Sequence, residues 1–141
     1  MEVALRRFVR ERAGNRCEYC GIHQDQDAFF TFPVDHIIAL QHGGKTDAEN
    51  LCLSCYRCNS HKGTNIASID PDTDEMVRLF HPRQDVWSDH FEWRGALLSG
   101  RTAIGRATVK LLAINHPDYV LLRESLIDEG TFPRKPMGPL D

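Results

Sequence analysis

The chain lacks an N-terminal apolar run preceded by basic residues and closed by a small-residue cleavage site. It opens instead with Glu2-Val3-Ala4-Leu5-Arg6-Arg7, which reads as a helix rather than a leader. It lacks any apolar stretch near the roughly 20 residues that a membrane-crossing helix needs. These absences point to a cytoplasmic location and no membrane partner. An excess of positive charge is missing too: the formal net charge is −3, which by itself disfavours a nucleic-acid partner. No internal repeat or low-complexity tract is present, and nothing in the sequence sets an oligomeric state. At 141 residues the expectation is one domain with room for an appended lobe. A hydrophobic share of 41% supports a modest core, and a loop-rich chain of this size often needs a staple.

Charge is unevenly distributed. Arg6, Arg7, Arg10, Arg12 and Arg16 are offset only by Glu11 within residues 6–16. Residues 93–117 carry Arg94, Arg101, Arg106 and Lys110 with no acid. The acids gather in Asp70-Pro71-Asp72-Thr73-Asp74-Glu75 and toward the C-terminus. This asymmetry suits a phosphate-facing surface better than the total does. On charge alone, ordinary solvated helix faces remain the simpler reading.

Periodicity predicts a helix over residues 3–13, with Gly14 just past its end. Residues 29–34 are rich in β-formers, with Pro33 marking a strand end or edge. Asp35-His36 falls where that strand stops. Gly43-Gly44 marks a loop, Thr46-Asp47-Ala48-Glu49 fits a capping box, and Leu51-Cys52-Leu53 reads as a second strand. A helix follows from near Asn59. Beyond it, residues 76–80 and 86–93 are expected to pair as a hairpin across the loop holding Pro82. Thr102 caps a helix over 103–114, and Pro117 opens another that runs to Glu129 and stops at Gly130. The tail from Thr131, with three prolines, is expected to be irregular.

The cysteines carry the first chemical signal. Cys17-x-x-Cys20 and Cys55-x-x-Cys58 are two CxxC pairs, and a CxxC turn presents two thiolates at the spacing tetrahedral zinc requires. In a cytosolic chain such pairs read as a metal site rather than disulfides. Cys52-x-x-Cys55 has the same spacing, but Asn59-Ser60-His61-Lys62-Gly63 follows Cys58 directly, which favours the later pair. Cys52, between Leu51 and Leu53, reads as a buried thiol or a neighbour of the site. Four thiolates leave no open position for water, so the zinc is structural and any chemistry lies elsewhere. A carboxylate, an imidazole and an amide lie between and beside the two pairs, a combination suited to a second metal and a base.

Cys17-Glu18-Tyr19-Cys20, Val34-Asp35-His36-Ile37, Gly43-Gly44, Asn50-Leu51 and Cys55-Tyr56-Arg57-Cys58-Asn59-Ser60-His61-Lys62-Gly63 resemble an HNH endonuclease. The similar subgroup is the one whose ββα-metal motif is braced by a four-cysteine zinc. The resemblance covers residues 8–63. It implies an α+β fold with a ββα-metal (HNH/His-Me finger) core, a structural Zn²⁺ on Cys17, Cys20, Cys55 and Cys58, and DNA phosphodiester hydrolysis. By that likeness His36 is the general base, an imidazole suiting the role because its ordinary pKa of about 6.5 lies near working pH. Asp35 and Asn59 hold one catalytic Mg²⁺ or Mn²⁺ through oxygen, and Asn50 shapes the loop that orients the base. Lys62, His61 and Arg106 are candidate contacts to the DNA backbone, against the plainer reading of surface residues. Alternation along a strand turns neighbours to opposite faces, so Asp35 and His36 serve one site only if the strand ends or bulges there.

The domain division expected is residues 1–68 for the nuclease core with its N-terminal helix and zinc knuckles. Residues 69–141 form a small α/β C-terminal extension packed on it, in which Trp87, Phe91 and Trp93 read as core. The alternatives are a zinc-braced nucleic-acid-binding module without cleavage, and a zinc domain for protein interaction. The set Asp35, His36 and Asn59 distinguishes the nuclease from both.

Overall fold

The computed structural model describes residues 1–134. Of the tail expected to be irregular from Thr131, residues 135–141 lie outside the described residues. Helix α1 spans Val3–Arg12, with Ala13 as its C-cap. Gly14 then adopts a positive φ of 62°, as helix-terminating glycines do. Val9 is the buried anchor of α1, which packs against the first two strands. Arg6 and Arg7 are exposed, whereas Arg10 and Arg12 hold the motif together. Arg10 donates to the Phe32 carbonyl at 2.6 Å, and Arg12 donates to the Ala48 and Leu51 carbonyls at 2.9 and 2.8 Å.

Strand β1 is Val34–His36 and β2 is Leu51–Leu53. They pair antiparallel, with Val34 opposite Leu53, Asp35 opposite Cys52 and His36 opposite Leu51. Helix α2, Tyr56–Lys62, follows at once and completes a ββα unit. It starts at Tyr56 rather than near Asn59 because Cys55 is its N-cap, the sulfur accepting from Cys58 N–H. The β-rich stretch 29–33 is not strand: β1 begins after Pro33, and the ladder runs through His36 in regular register. Between β1 and β2 a short 3₁₀ turn, Ala48–Asn50, is capped by Asp47, whose carboxylate accepts from Glu49 N–H. Thr46, expected in that cap, is engaged elsewhere.

The hairpin expected across Pro82 does not form. Met76–Arg78 (β4) pairs with Ala67–Ile69 (β3), and Phe91–Arg94 (β5) pairs with Leu97–Gly100 (β6). Each strand takes the partner reached by the shorter loop, which costs less closure entropy. The acidic 70–75 segment is itself the β3–β4 turn, with Asp70 accepting from Asp72 N–H and the Thr73 hydroxyl at 3.1 and 3.0 Å. Residues 87–90, placed in the hairpin by their β-formers, are the short helix α3, Trp87–His90. Helix α4, Ala103–Leu111, is capped by Thr102, and α5 runs Pro117–Asp128.

One buried cluster runs through the molecule. It joins Tyr19, Ile22, Phe32, Ile37 and the CxxC cysteines to Phe80, Phe91, Leu98, Leu112 and Leu126, with Trp87 and Trp93 packed against it. Trp87 Nε1–H donates to the Tyr19 carbonyl at 2.9 Å, inside the first knuckle. Arg83 pairs with Glu18, also in that knuckle. No helix among the described residues is long and apolar enough to cross a membrane.

Candidate metal centre and adjoining site

Cys17, Cys20, Cys55 and Cys58 are all buried, and their sulfurs lie within 4.8 Å of one another. Cys20 and Cys55 sulfurs are 3.8 Å apart. A tetrahedron of sulfurs about 2.3 Å from a central zinc has edges of about 3.8 Å, so the donor set fits zinc in both chemistry and size. No disulfide links these residues. Helix α5 brings Arg123 to the same cavity wall as Cys20, Cys55 and Cys58. Its guanidinium is fixed by the Ala96 and Ile114 carbonyls, both at 2.8 Å, so a buried positive charge sits beside the cysteine cluster. Cys52 stays out of the cluster, with its sulfur 3.8 Å from the Tyr19 hydroxyl. Burial, followed by the neighbouring Asp35 carboxylate, pushes its thiol up to about 12. That keeps it protonated and a poor ligand.

Asp35 and His36 turn to different neighbours, because the ladder is regular and not bulged. The Asp35 carboxylate meets Lys62 Nζ at 3.4 Å, reaching from the last turn of α2. The same ammonium lies 3.4 Å from the His36 carbonyl. Burial raises the Asp35 pKa above its ordinary value, while Lys62 opposes the rise. Lys62 is only 1% exposed, so it is neither a solvated lysine nor one extended over a surface. The His36 imidazole turns to the β1–β2 loop, its Nε2 2.8 Å from the Thr46 hydroxyl. That leaves Nδ1 as the nitrogen available to a further partner.

Asn50 organises the loop. Its side-chain oxygen accepts from Ile38 N–H, and its nitrogen donates to the Ile38 and Lys45 carbonyls, all three at 2.9 Å. Gly44 is required by this arrangement: a Cβ there would lie 1.7 Å from the Ile38 carbonyl oxygen and 2.9 Å from Asn50 Nδ2. Asn59 is half-buried on α2, three positions before Lys62, and its carboxamide has no hydrogen-bond partner among the described residues. Residues three apart on a helix have Cβ atoms about 5–6 Å apart, so Asn59 stands beside Lys62 on α2.

The remaining candidates lie apart from this group. His61 is exposed, its ring 6.4 Å from that of Tyr119. Arg106 is held by Asp70, at 2.9 and 2.8 Å, and by Asp72 at 3.1 Å, so its charge is already matched within the extension. His23 and His116 cap helical turns through Nδ1. His90 Nδ1 meets the Thr102 hydroxyl at 2.6 Å, and His42 Nε2 lies 3.1 Å from the Thr64 carbonyl oxygen. Two contacts escaped the sequence reading. Thr46 resembled a capping residue, and only the loop conformation turns its hydroxyl to His36. Lys62, expected as a backbone contact to DNA, is instead buried against Asp35.

Residues 17–65 match the family described as HNH endonuclease. The chain is also similar to the Septu protein PtuB of Bacillus thuringiensis, 28% identical over 123 residues. The aligned part is 86% of this chain and 45% of that protein, so the chain spans under half the length of that relative. No solved structure matches the chain. With two short strands, a following helix and four clustered cysteines in that window, residues 17–65 are an HNH endonuclease domain of the four-cysteine type.

Proposed function

We propose that this protein is a metal-dependent endonuclease that hydrolyses DNA phosphodiester bonds, with His36 as general base and Asp35 and Asn59 as ligands of a divalent ion. The observation that carries the reading is the arrangement around β1. His36 has one ring nitrogen engaged by Thr46 and the other available, while Asp35 is anchored one residue away. Asp35 and Asn59 offer hard oxygen donors, a set that suits Mg²⁺ or Mn²⁺ over softer metals. When bound, such an ion supplies stabilisation of charge on the phosphate and the leaving oxygen.

The chain's own residues do the rest. His36 accepts the proton of the attacking water at Nδ1, since Nε2 is committed to Thr46. Thr46 acts as a positioning residue for the ring. Lys62 holds the Asp35 carboxylate and the backbone beside His36. Asn50 keeps the loop in the shape that delivers Thr46. His61 remains a candidate phosphate contact through its exposure; Lys62 and Arg106 are assigned structural pairing instead. We assign catalysis to residues 1–68 and bracing of that core to the extension from residue 69. We assign the protein to the cytoplasm, since the clustered CxxC pairs suit a metal site rather than disulfides.

The test is nicking of supercoiled plasmid by zinc-loaded protein with Mg²⁺ or Mn²⁺, beside EDTA and His36→Ala. Metal-dependent nicking that the variant loses is expected. Equal inactivity of both proteins across metals, with DNA binding intact, would transfer the protein to the non-cleaving binding module.

A further inference from the structure

Phe29 and Phe30 were expected inside a strand. Instead they stand on a loop, 88% and 47% exposed, although that loop is tightly built. Asp27 Oδ1 accepts from the Phe29 and Phe30 N–H groups at 2.9 and 3.1 Å. Gln24 grips the other side, donating to the Phe30 carbonyl at 2.8 Å and accepting from Phe32 N–H at 2.7 Å. Two large apolar rings are thus displayed by a preorganised support. Phe30 stacks on Tyr56, with centroids 4.2 Å apart and planes 9° from parallel. Tyr56 therefore covers one Phe30 face, and Phe29 and Phe30 both line an open groove of about 330 Å³. Arg57 lines the same groove, its guanidinium stacked 4.1 Å from the Tyr119 ring centroid.

Two features indicate what fits. Flat aromatic walls beside a guanidinium match a nucleobase joined to a phosphate, because every base has a π-face and the backbone carries the charge. The aromatic pair also stands near the proposed cleavage site, because Phe30 stacks on Tyr56, which precedes Asn59 on α2. Tyr56 and Asn59 are three positions apart on α2, about 5–6 Å between Cβ atoms. Asp27 also lines the groove, but its Oδ1 accepts two backbone N–H groups, which reduces its opposition to a phosphate. A base inside a duplex has both faces covered by its neighbours, so the occupant must be unpaired.

Resting on the nuclease reading, we propose that Phe29, Phe30 and Arg57 form a stacking slot for an unpaired nucleotide of the DNA strand next to the scissile phosphate. The preferred substrate then has single-stranded character beside the cut.

The experiment compares full-length, zinc-loaded wild type with Phe29→Ala, Phe30→Ala and Phe30→Trp, without catalytic metal. Fluorescence anisotropy reads binding to a short labelled single-stranded oligonucleotide and to the same sequence as a duplex. The alanine variants are expected to lose roughly 5- to 100-fold in single-strand affinity, with Phe30→Trp close to wild type. The ratio of single-strand to duplex affinity falls accordingly. Phe29→Ala keeps the test decisive should Phe30→Ala disturb the loop, since Phe29 touches little of the fold. An unchanged ratio in Phe29→Ala would overturn the slot and leave the rings to a protein partner. Plasmid nicking run in parallel separates the two readings. Nicking with an unmoved ratio retains the nuclease and rejects the slot. Ring-dependent binding with no cleavage under any metal retains the slot and rejects the nuclease.

Discussion

Thr46 and Lys62 act on β1 from opposite sides, one through a neutral hydroxyl and the other through a buried charge. Thr46→Val keeps the shape of the side chain and removes the bond to His36 Nε2. The nicking rate is expected to fall about threefold to tenfold with KM little changed, and Thr46→Ser is expected to restore it. A loss of stability without a change in rate would refute the positioning role. Lys62→Met keeps the buried stem and deletes the ammonium, leaving Asp35 charged and unpaired. A fully buried pair broken in this way costs more, but Asp35 is only partly enclosed, so about 1–3 kcal/mol is expected in urea unfolding. Adding Asp35→Asn removes the stranded charge, and the double variant should recover part of that loss. Full additivity of the two changes would show that the pair is not coupled.

At the scale of elements, the β1–β2 loop and the loop after β4 are each held by one well-connected side chain. Gly44→Ala puts a Cβ where the Ile38 carbonyl already sits. The loop must shift, with an expected loss of about 2–3 kcal/mol and a matching fall in nicking as Thr46 moves from His36. Thermal unfolding alongside rate measurement checks both. In the second loop Asp85 accepts a two-pronged contact from Arg78, at 2.7 and 2.9 Å, and also the His81 N–H at 2.8 Å. The Arg78 hydrogen bonds come first in holding its pKa down to about 2. A carboxyl depressed in the folded state adds stability above its unfolded pKa of about 3.9, and that stability is lost as pH falls through the folded value. Asp85→Asn should therefore be less stable than wild type at neutral pH, with the gap narrowing as pH falls from about 4 towards about 2. A gap independent of pH would mean that the carboxylate's charge contributes nothing.

For the whole molecule, the cysteine cluster and the extension share one core. Trp87 donates into the first knuckle, Arg83 pairs with Glu18, and Arg123 shares a cavity with Cys20, Cys55 and Cys58. Removing the metal should therefore disturb more than the knuckles. Chelation is expected to shift tryptophan emission to the red and reduce far-UV ellipticity in one transition, with zinc release followed colorimetrically. Zinc release with unchanged tryptophan emission would show that the extension stands without the cluster.

Much of the candidate site was legible because its residues lie close in sequence or carry a metal's spacing. The CxxC pairs, Asp35-His36, Asn50 and Asn59 are such residues, as are helix ends marked by Gly14, Thr102, Pro117 and Gly130. These features are set by local chemistry: ligand number, capping and backbone freedom. The strand partners after residue 66 were misread because alternating β-formers show a strand without naming its neighbour, and loop closure decided the pairing. The Lys62–Asp35 and Thr46–His36 contacts, the internal pairing of Arg106 and the exposure of Phe29 depend on which surfaces meet. The sequence by itself determined the metal cluster and the ββα order. Only the tertiary structure decided how the two neighbours on β1 are held and which aromatic rings remain outside, because burial and long-range contact arise from the packing of elements distant in the chain.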